Sequence, residues 1–357
     1  MNIKYVLSLP VYHELTDNDG FLELANSDKW FPSLMTQKGY PTELWAAGTQ
    51  AYSADCQYDD LPALTVRLFG TDSQEGDPKK HTSDSLNQAI RNAEVDFVII
   101  KGLDGEIGIQ LAKQVLIPSN IPFAVIVDGT CYHPVIKHAV AVLYETEWQR
   151  QLLTKRSFRF WRTVLDDRKL IHLAKSVDIR HFAPDHYAKK DCDVIGMQHV
   201  LSPTDKLEAL IELSKYLKIG VIGGGSELYN YRKRYPEINW FGAVPYSQVP
   251  ELMNRGKLFF YGGVRSDHPR AVSEAAACGL PIVTFEGAIH GDVMPDQIGL
   301  RVSRKSYVSE ITDLLENKQK LKQLSDNARA YAEKEWHHQS SLPAVRKLLQ
   351  AMVPYRT

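Results

Sequence analysis

Apolar runs of strand length alternate with segments of helical spacing along most of the chain, and this alternation is the strongest constraint on its fold. Residues 95–101 (VDFVIIK) and 122–128 (PFAVIVD) are two such runs in the first half, and residues 281–285 (PIVTF) are another in the second half. A segment of helical spacing, residues 83–92, precedes the first of them. Near-continuous apolar strands separated by helices indicate an α/β fold in which both faces of a parallel sheet are covered.

The length of the chain and one weakly patterned segment predict two domains. At roughly 150 residues per domain, the 357 residues suggest two. Residues 176–191 contain a proline, mixed charges and little apolar periodicity, and we interpret them as a hinge. We therefore expect a Rossmann-like domain over 1–178 and another over 190–336, both doubly wound and facing a cleft. Residues 337–357 are predicted to contain a helix that crosses back to pack on the first domain.

Charge and composition narrow the possible partners and location. The formal net charge is -1, which argues against a large positive field for nucleic acid. No stretch approaches about 18 uninterrupted apolar residues, and the start MNIKYVLSLPVYHEL lacks the regions of a signal peptide. The cysteines are far apart and form no CxxC pair. We expect a cytoplasmic protein with no nucleic-acid partner and at most peripheral membrane contact.

Four segments of the second half, taken in order, resemble one known family. They are VDIRHFAP, a glycine run, WFGAVP and EAAACGLPIV, at residues 177–184, 223–225, 240–245 and 274–283. Together they resemble the retaining family-four type of GT-B glycosyltransferases, also called glycosyl transferases group 1. The first half resembles that family in its order of strands and helices and in the position of Gly20.

The resemblance implies an enzyme that transfers a sugar from a nucleotide-diphosphate sugar to a glycan, a lipid-linked sugar or another hydroxyl acceptor. It implies retention of configuration, no metal ion and no cofactor, since the nucleotide sugar is a substrate. The second domain would bind the donor and the first domain the acceptor. Two alternatives stay open: a nucleotide-sugar epimerase-like enzyme of the same fold, and a non-catalytic nucleotide-sugar-binding protein.

One predicted helix of the second half fits a phosphate site. Pro269 suits the first turn of this helix, and Asp267 or His268 could cap it. The N–H groups at its start, together with the helix dipole, attract a diphosphate. Glu274 follows about one turn later, on the same face as Arg270. The resemblance assigns the Glu274 carboxylate to the ribose hydroxyls of the donor.

The sequence departs from the family at two positions. The family's first Glu corresponds to Ser266, so either Asp267 replaces that carboxylate or the donor contacts differ. Lys206 matches the family's phosphate-binding lysine, whereas the family's arginine has no counterpart in the loop expected after the strand 192–196. Positive charge is needed because the departing diphosphate is an anion. The side chains that could supply it are His199, Arg265 and Arg270.

The other candidates follow predicted strands. The backbone at Gly223 and Gly224 could approach the donor closely. Asp128 ends the strand PFAVIVD, where many relatives carry a His near the reacting sugar. The predicted catalytic residues are Lys206, Asp128 and Asp267, and the predicted acceptor-binding residues are His13 and His133. The predicted donor-binding residues are Gly20, His199, Gly223, Gly224, Gly242, Val244, Pro245, Ser266, His268, Arg270, Ala271 and Glu274.

Overall fold

The chain divides into two units, Met1–Ser176 with His338–Thr357, and Val177–His337. The structure, a computed structural model, describes residues 1–11, 28–57, 61–73, 75–129, 133–155, 164–201, 205–263 and 268–355, with the backbone alone at 199–200 and 205–206. Each unit contains a sheet of parallel strands joined through helices. The prediction of an α/β chain with two parallel sheets is therefore confirmed.

The sheet of the first unit is parallel except at one edge. Its strands are β1 (Ile3–Leu7), β2 (Thr42–Gly48), β3 (Tyr52–Cys56), β4 (Leu64–Gly70), β5 (Phe97–Lys101), β6 (Phe123–Ile126), β7 (Ala141–Tyr144) and β8 (Leu170–His172). Their order across the sheet is β3-β4-β2-β1-β5-β6-β7-β8, and β3 pairs antiparallel with β4. The apolar runs do not predict β3, because exposed polar residues interrupt its sequence YSADC.

The sheet of the second unit is parallel at each described pair of strands. Its strands are β9 (Cys192–Val200), β10 (Ile219–Gly224), β11 (Asn239–Gly242), β12 (Gly256–Tyr261), β13 (Ile282–Phe285) and β14 (Gly299–Val302), in the order β11-β10-β9-β12-β13-β14. The sequence predicts a loop after residue 196, and this prediction is wrong. β9 continues to Val200 because Met197 pairs with Ile222, and Val200 with Gly224, of β10.

The helices follow the strands in the alternation that the sequence predicts. They are α1 (Trp30–Gln37), α2 (Asp84–Asn92), α3 (Glu106–Leu111), α4 (Glu147–Thr154), α5 (Asp205–Leu213), α6 (Leu228–Arg234), α7 (Val249–Asn254), α8 (Arg270–Ala277), α9 (Tyr307–Glu316), α10 (Lys318–Glu335) and α11 (Leu342–Met352). The charged helical stretch after residue 306 is divided at Asn317. This residue ends α9, and its side chain caps α10 by accepting a hydrogen bond from the Lys320 N–H at 3.0 Å.

Side chains of the first sheet pack on both of its faces. Along β5, Phe97 and Ile99 belong to one buried cluster, and Val98 and Ile100 belong to another. The first cluster also contains side chains of α1 and α11, and the second contains side chains of α2 and α3. Since successive residues of a strand point to opposite faces, a strand buried on both faces needs a continuous apolar run.

The last helix is part of the first unit. Val345 and Leu348 of α11 are fully buried in the same cluster as Leu34 of α1. Just before α11, the ring of His338 stacks on Trp30, with ring centroids 4.8 Å apart. The apolar stripe of α11 thus closes one face of the first sheet.

Candidate functional site

Helix α8 carries the predicted donor carboxylate, and Pro269 precedes its first residue. Pro269 is the N-cap residue and makes no side-chain hydrogen bond to the helix. The predicted cap by His268 is therefore wrong. The His268 ring is instead buried against Trp336, with centroids 4.9 Å apart. Asp267, the other predicted cap, lies outside the described residues.

Glu274 points into the second unit and not along its surface. Its side chain is about as buried as the neighbouring alanines of α8, at 1% exposure, whereas Arg270 one turn earlier is exposed. The hydroxyl of Tyr246 donates a hydrogen bond to Oε1 of Glu274 at 2.9 Å. A buried carboxylate requires such partners, because removing its charge from water is costly.

Tyr246 remains a hydrogen-bond donor across the whole physiological pH range. Burial raises the pKa of its phenol far above the ordinary value, and the negative charge of Glu274 raises it further, while Arg270 opposes the shift. The phenol therefore stays protonated. The residue lies at the start of a short 3₁₀ turn, Tyr246–Gln248, which directly follows the loop 242–245, where the sequence predicts donor-binding residues.

Aromatic side chains of the segment 177–184 hold the Tyr246 ring. Its centroid lies 5.3 Å from that of Phe182 and 5.6 Å from that of His181. The His181 Nε2 atom lies 3.3 Å from the Tyr246 carbonyl oxygen. Arg329 of α10 ties the same segment to α8, because it donates to the carbonyl oxygens of Phe182 and Ala277 at 2.8 and 2.7 Å.

The glycines at the carboxyl ends of β10 and β11 are required by close packing at Gly223 and Gly224 and by a positive φ at Gly242. Gly223 has φ of +149°, and a Cβ atom there would lie 1.8 Å from the carbonyl oxygen of Gln198 in β9. A Cβ at Gly224 would lie 2.7 Å from that of Ala243. Gly242 has φ of +86°, a conformation that favours glycine. The carboxyl end of β10 is therefore tightly packed.

The structure brings several predicted donor residues close together in the second unit. Strand pairing places Gly224 beside Val200 and Gly242 beside Ile222. Val244 is half-buried and Pro245 is exposed in the loop between Gly242 and Tyr246. Tyr246, which sequence reasoning missed, joins this loop to Glu274. The position of a tyrosine directly after this loop was the available signal.

Several predicted residues, or their side chains, lie outside the described part of the chain. Gly20, His13, Ser266 and Asp267 lie outside the described residues. The backbone of His199 lies in β9 and that of Lys206 at the start of α5, but their side chains are outside the described part of the chain. Their roles stay predictions.

In the first unit, Asp128 lies beside a buried group of charges at the carboxyl ends of β5 to β8. The Nζ atom of Lys101 is 3.7 Å from Oδ2 of Asp128 and 3.4 Å from Oε1 of Glu145. Lys175 pairs with Glu145 on its other side at 3.1 Å. Burial opposes the charge of Lys101, but Asp128 and Glu145 outweigh it and raise the pKa of the ammonium well above its ordinary value.

A small cavity adjoins these charges. Its volume is about 30 Å³, and Lys101, Glu145, Lys175, Tyr5 and Ser341 are among its lining residues. The Tyr5 hydroxyl donates a hydrogen bond to Oδ1 of Asp28 at 3.0 Å. This cavity has room for about one water molecule.

His133 has a local structural role. Its Nδ1 atom accepts a hydrogen bond from the Val135 N–H at 3.2 Å and so caps the 3₁₀ turn Pro134–His138. Burial lowers the pKa of this imidazole, and Lys113 lowers it further. The ring is therefore neutral near pH 7, and its predicted contact with an acceptor would have to use Nε2.

Two features that the described residues lack concern metals and membranes. Within the described ranges, no three His, Cys, Asp or Glu side chains are grouped so that they could hold a metal ion. In the same part of the chain, none of the helices is both long enough and apolar enough to cross a membrane.

Comparison with known proteins adds a family match for the second unit. Residues 182–331 match the family model of the glycosyl transferases group 1. This range contains Tyr246, Glu274 and the glycines of β10 and β11. A comparison with curated protein sequences finds no match.

Solved structures of glycosyltransferases have a similar fold along the whole chain. Sucrose-phosphate synthase from Thermosynechococcus elongatus matches with a TM-score of 0.73 at 12% identity, over 100% of both chains. Anabaena HepE in complex with UDP matches with a TM-score of 0.66 at 13% identity, over 98% of this chain and 100% of its own. The pneumococcal O-GlcNAc transferase GtfA, in complex with UDP and GlcNAc, matches at 0.66 and 11% identity, over 99% of both chains. Identities this low show the fold alone, which is the GT-B fold.

Proposed function

Because residues 182–331 match the family model of the glycosyl transferases group 1 and the chain has the GT-B fold, we propose that it transfers a sugar from a nucleoside-diphosphate sugar to a hydroxyl group. The acceptor is a glycan or a lipid-linked sugar, and the transfer retains the anomeric configuration without a metal ion. The observation that carries this proposal is the coincidence of the family match with the buried carboxylate of Glu274. The second unit binds the donor, and the first unit binds the acceptor.

The proposed reaction exchanges one bond to the anomeric carbon for another. The bond to the diphosphate oxygen breaks, the acceptor oxygen bonds to the same carbon, and the departing phosphate takes the acceptor proton. Lys206 and the N–H groups at the start of α8 stabilise the charge that develops on the diphosphate. Asp128 and Asp267 are proposed to contact the reacting sugar, and Glu274 to accept hydrogen bonds from the ribose.

A screen of donors tests the proposal first. Thermal unfolding is measured with UDP-, GDP-, dTDP- and CMP-sugars, since a ligand at 100 times its Kd stabilises the folded state by about 2.7 kcal/mol. HepE and GtfA were solved with UDP, which supports testing uridine nucleotides first. Absence of stabilisation by all four classes would contradict the proposal.

Transfer assays then test the assigned residues. Lys206→Ala is expected to lower kcat by about 10²- to 10³-fold, the usual cost of losing a group that stabilises developing charge. Glu274→Gln is expected to raise the donor KM by about 10-fold or more, because it weakens charged hydrogen bonds to the ribose. Matched controls are Lys215→Ala and Glu316→Gln, which change exposed residues of the same unit.

Each alternative activity has a distinct result. Unchanged transfer in both Lys206→Ala and Glu274→Gln would overturn the site assignment. An epimerase-like enzyme would release free nucleotide and an epimerised sugar without needing an acceptor, and a non-catalytic protein would bind the donor without turnover.

NMR of the product's anomeric centre tests retention, and an unchanged rate in a metal chelator tests metal independence.

A further inference from the structure

Asp128 is the exposed end of the charged group in the first unit. Its side chain is 39% exposed, whereas the side chains of Lys101 and Glu145 are 11% and 4% exposed. A molecule that reaches this group from solvent therefore meets the Asp128 carboxylate before the buried charges. The family match covers residues 182–331 and assigns nothing to Lys101, so a role for this lysine has to rest on its own contacts.

Lys101 ends β5 and joins the buried part of the charged group to Asp128. Its Nζ atom lies 3.7 Å from Oδ2 of Asp128 and 3.4 Å from Oε1 of Glu145. The other ammonium, that of Lys175, lies across Glu145 at 3.1 Å from Oε2. An ammonium between two carboxylates stays charged, because their attraction offsets the cost of its burial. Lys101 is thus a fixed positive charge beside Asp128.

The peptide that follows Asp128 is fixed by the same part of the chain. Nε2 of Gln149, a buried residue of α4, donates a hydrogen bond to the Gly129 carbonyl oxygen at 3.2 Å. Oε1 of Gln149 accepts a hydrogen bond from the backbone N–H of Glu145 at 2.7 Å. The turn between β7 and α4 therefore holds Lys101, through the Glu145 carboxylate, and also the backbone beside Asp128.

A second carboxylate competes with Asp128 for ionisation. An added Cβ at Gly102 would lie 2.9 Å from Oδ1 of Asp104 and 3.7 Å from Cβ of Asp128, so the two acids flank this glycine. Burial raises the pKa of Asp104 and the charge of Asp128 raises it further, while Lys79 and Lys101 oppose the shift. Neighbouring carboxylates resist simultaneous ionisation. Because Lys101 pairs with Asp128, it favours the charged form of that acid.

We propose that Lys101 is a positioning residue which keeps the Asp128 carboxylate ionised and in one orientation, so that Asp128 accepts a hydrogen bond from a hydroxyl group of the reacting sugar and donates no proton to it. This inference rests on the proposed contact of Asp128 with the sugar. An ionised carboxylate is only an acceptor, and a preorganised acceptor binds a hydroxyl group better than a mobile one. Lys101 acts through Asp128.

The test measures release of UDP from UDP-glucose and UDP-GlcNAc, and of GDP from GDP-mannose, by the full chain with water and free monosaccharides as acceptors. Lys101→Met removes the charge but keeps most of the length of the side chain. At pH 7 we expect kcat to fall about 10-fold or more, because a small misplacement of a group that contacts the substrate is costly. Binding of UDP or GDP, measured by calorimetry, should not change.

The pH profile provides a result that a general loss of packing would not produce. An adjacent positive charge lets an acid ionise at a pH that is lower by about 1–3 units. The acidic limb of kcat should therefore move up by about one pH unit in Lys101→Met. Asp104→Asn should move it down, since this change removes a like charge. The charged and titratable groups around Asp128 are Tyr5, Asp28, Lys101, Asp104, Glu145 and Lys175.

Lys175→Met is the matched control. It removes an ammonium of the same exposure from the other side of Glu145, and kcat and its acidic limb should stay close to those of the wild type. In the Asp128→Asn background, Lys101→Met should cause less than about a threefold further loss, because residues that act through each other are not additive. If the Lys101→Met chain does not fold, Lys101→Gln takes its place with the same expected shift.

The outcomes distinguish the inference from the proposed function. If the wild-type chain turns over none of the three nucleotide sugars, the proposed function fails. If it does but Lys101→Met leaves kcat and the acidic limb unchanged, or Lys175→Met alters both equally, Lys101 does not position Asp128. An unchanged kcat in Asp128→Asn would overturn the inference as well, since Asp128 would then make no contact that matters.

Discussion

The two units have sheets of the same parallel type, but different chemistry fills the carboxyl ends of their strands. In the first unit, Lys101, Asp128, Glu145 and Lys175 form a chain of ion pairs whose formal charges sum to zero. In the second unit, glycines end β10 and β11, and the buried acid Glu274 is bonded to a neutral phenol. The four charges of the first arrangement cancel one another. The second arrangement consists of glycines at the strand ends and one buried carboxylate held by a hydrogen bond.

The difference has a consequence for the proposed ligands. The ion-paired side chains of the first unit carry no net charge and Asp28 beside them adds a negative one, so this cluster does not attract a diphosphate. A diphosphate requires positive charge, which in the second unit is proposed to come from Lys206 and the start of α8. If this comparison is right, close packing stabilises the strand ends of the second unit, and buried ion pairs stabilise those of the first.

The largest expected effect is at Gly223. In Gly223→Ala the new Cβ would overlap the Gln198 carbonyl oxygen, since the ideal position is 1.8 Å away. The backbone of β9 and β10 would have to move, and we expect a loss of more than about 5 kcal/mol, enough to unfold a typical domain. Urea unfolding and limited proteolysis of the second unit measure this.

Gly287→Ala is the matched control for packing. Gly287 also has positive φ, +72°, but nothing lies within 4 Å of its added Cβ. We expect a cost of about 1–2 kcal/mol from the left-handed conformation alone. Equal effects at the two glycines would mean that backbone conformation, and not the close approach of β9 to β10, requires Gly223.

A smaller but still large effect is expected at Glu145 of the first unit. Its side chain is 4% exposed and lies between Lys101 and Lys175, each 11% exposed. Glu145→Ala leaves both ammonium groups without this buried partner, and we expect a loss of about 3–5 kcal/mol. The free energy of unfolding in urea, compared with that of the wild-type chain, gives the value.

Glu147→Ala, two residues away, tests whether burial causes that loss. Glu147 pairs with Arg150 at 3.0 Å, and both side chains are more than a third exposed. Exposed pairs contribute little to stability, so this variant should be close to the wild type. If the two variants lose similar amounts of stability, burial of the ion pairs does not explain the loss at Glu145, and the contrast between the two units fails.

Most of the fold could be predicted from the sequence because buried parallel strands are continuous apolar runs. β5 and β6 follow directly from FVIIK and FAVI. β3 and β14 could not be predicted, because YSADC and GLRV are short edge strands with exposed or half-buried positions. The division at Asn317 leaves no break in the helical spacing, since a cap requires only one polar side chain.

The candidate sites were predicted unevenly for a related reason. Glu274 and the glycines lie within contiguous motifs, so spacing alone points to them. The ion pairs of the first unit join residues at or just after the ends of three different strands, at positions 101, 145 and 175. Tyr246 and Glu274 are likewise brought together only by the fold. Such pairs depend on side-chain directions, which linear spacing does not contain.

The smallest expected effect is a pH dependence in the second unit, at Cys278 beside the end of α8. Burial raises the pKa of this thiol to about 12, and the negative charge of Glu274 adds to the shift while Lys190 and Arg329 oppose it. In the unfolded chain the thiol ionises near its ordinary value of roughly 8.5. The stability that the protonated thiol contributes to the folded state is therefore fully present below that pH, and it is lost as the pH rises toward 12.

Cys278→Ala isolates this contribution. Above the unfolded pKa the wild-type chain should lose roughly 1.4 kcal/mol of stability per pH unit through this thiol, and the variant should lack that part of the slope. Urea unfolding at pH 7, 9 and 10 measures it. The range stops at pH 10 because the phenols of Tyr5 and Tyr246, whose pKa values burial also raises, would add the same trend above it. Identical slopes for the two chains would mean that the interior of the second unit around Glu274 admits water, which would contradict the buried carboxylate on which the contrast between the units rests.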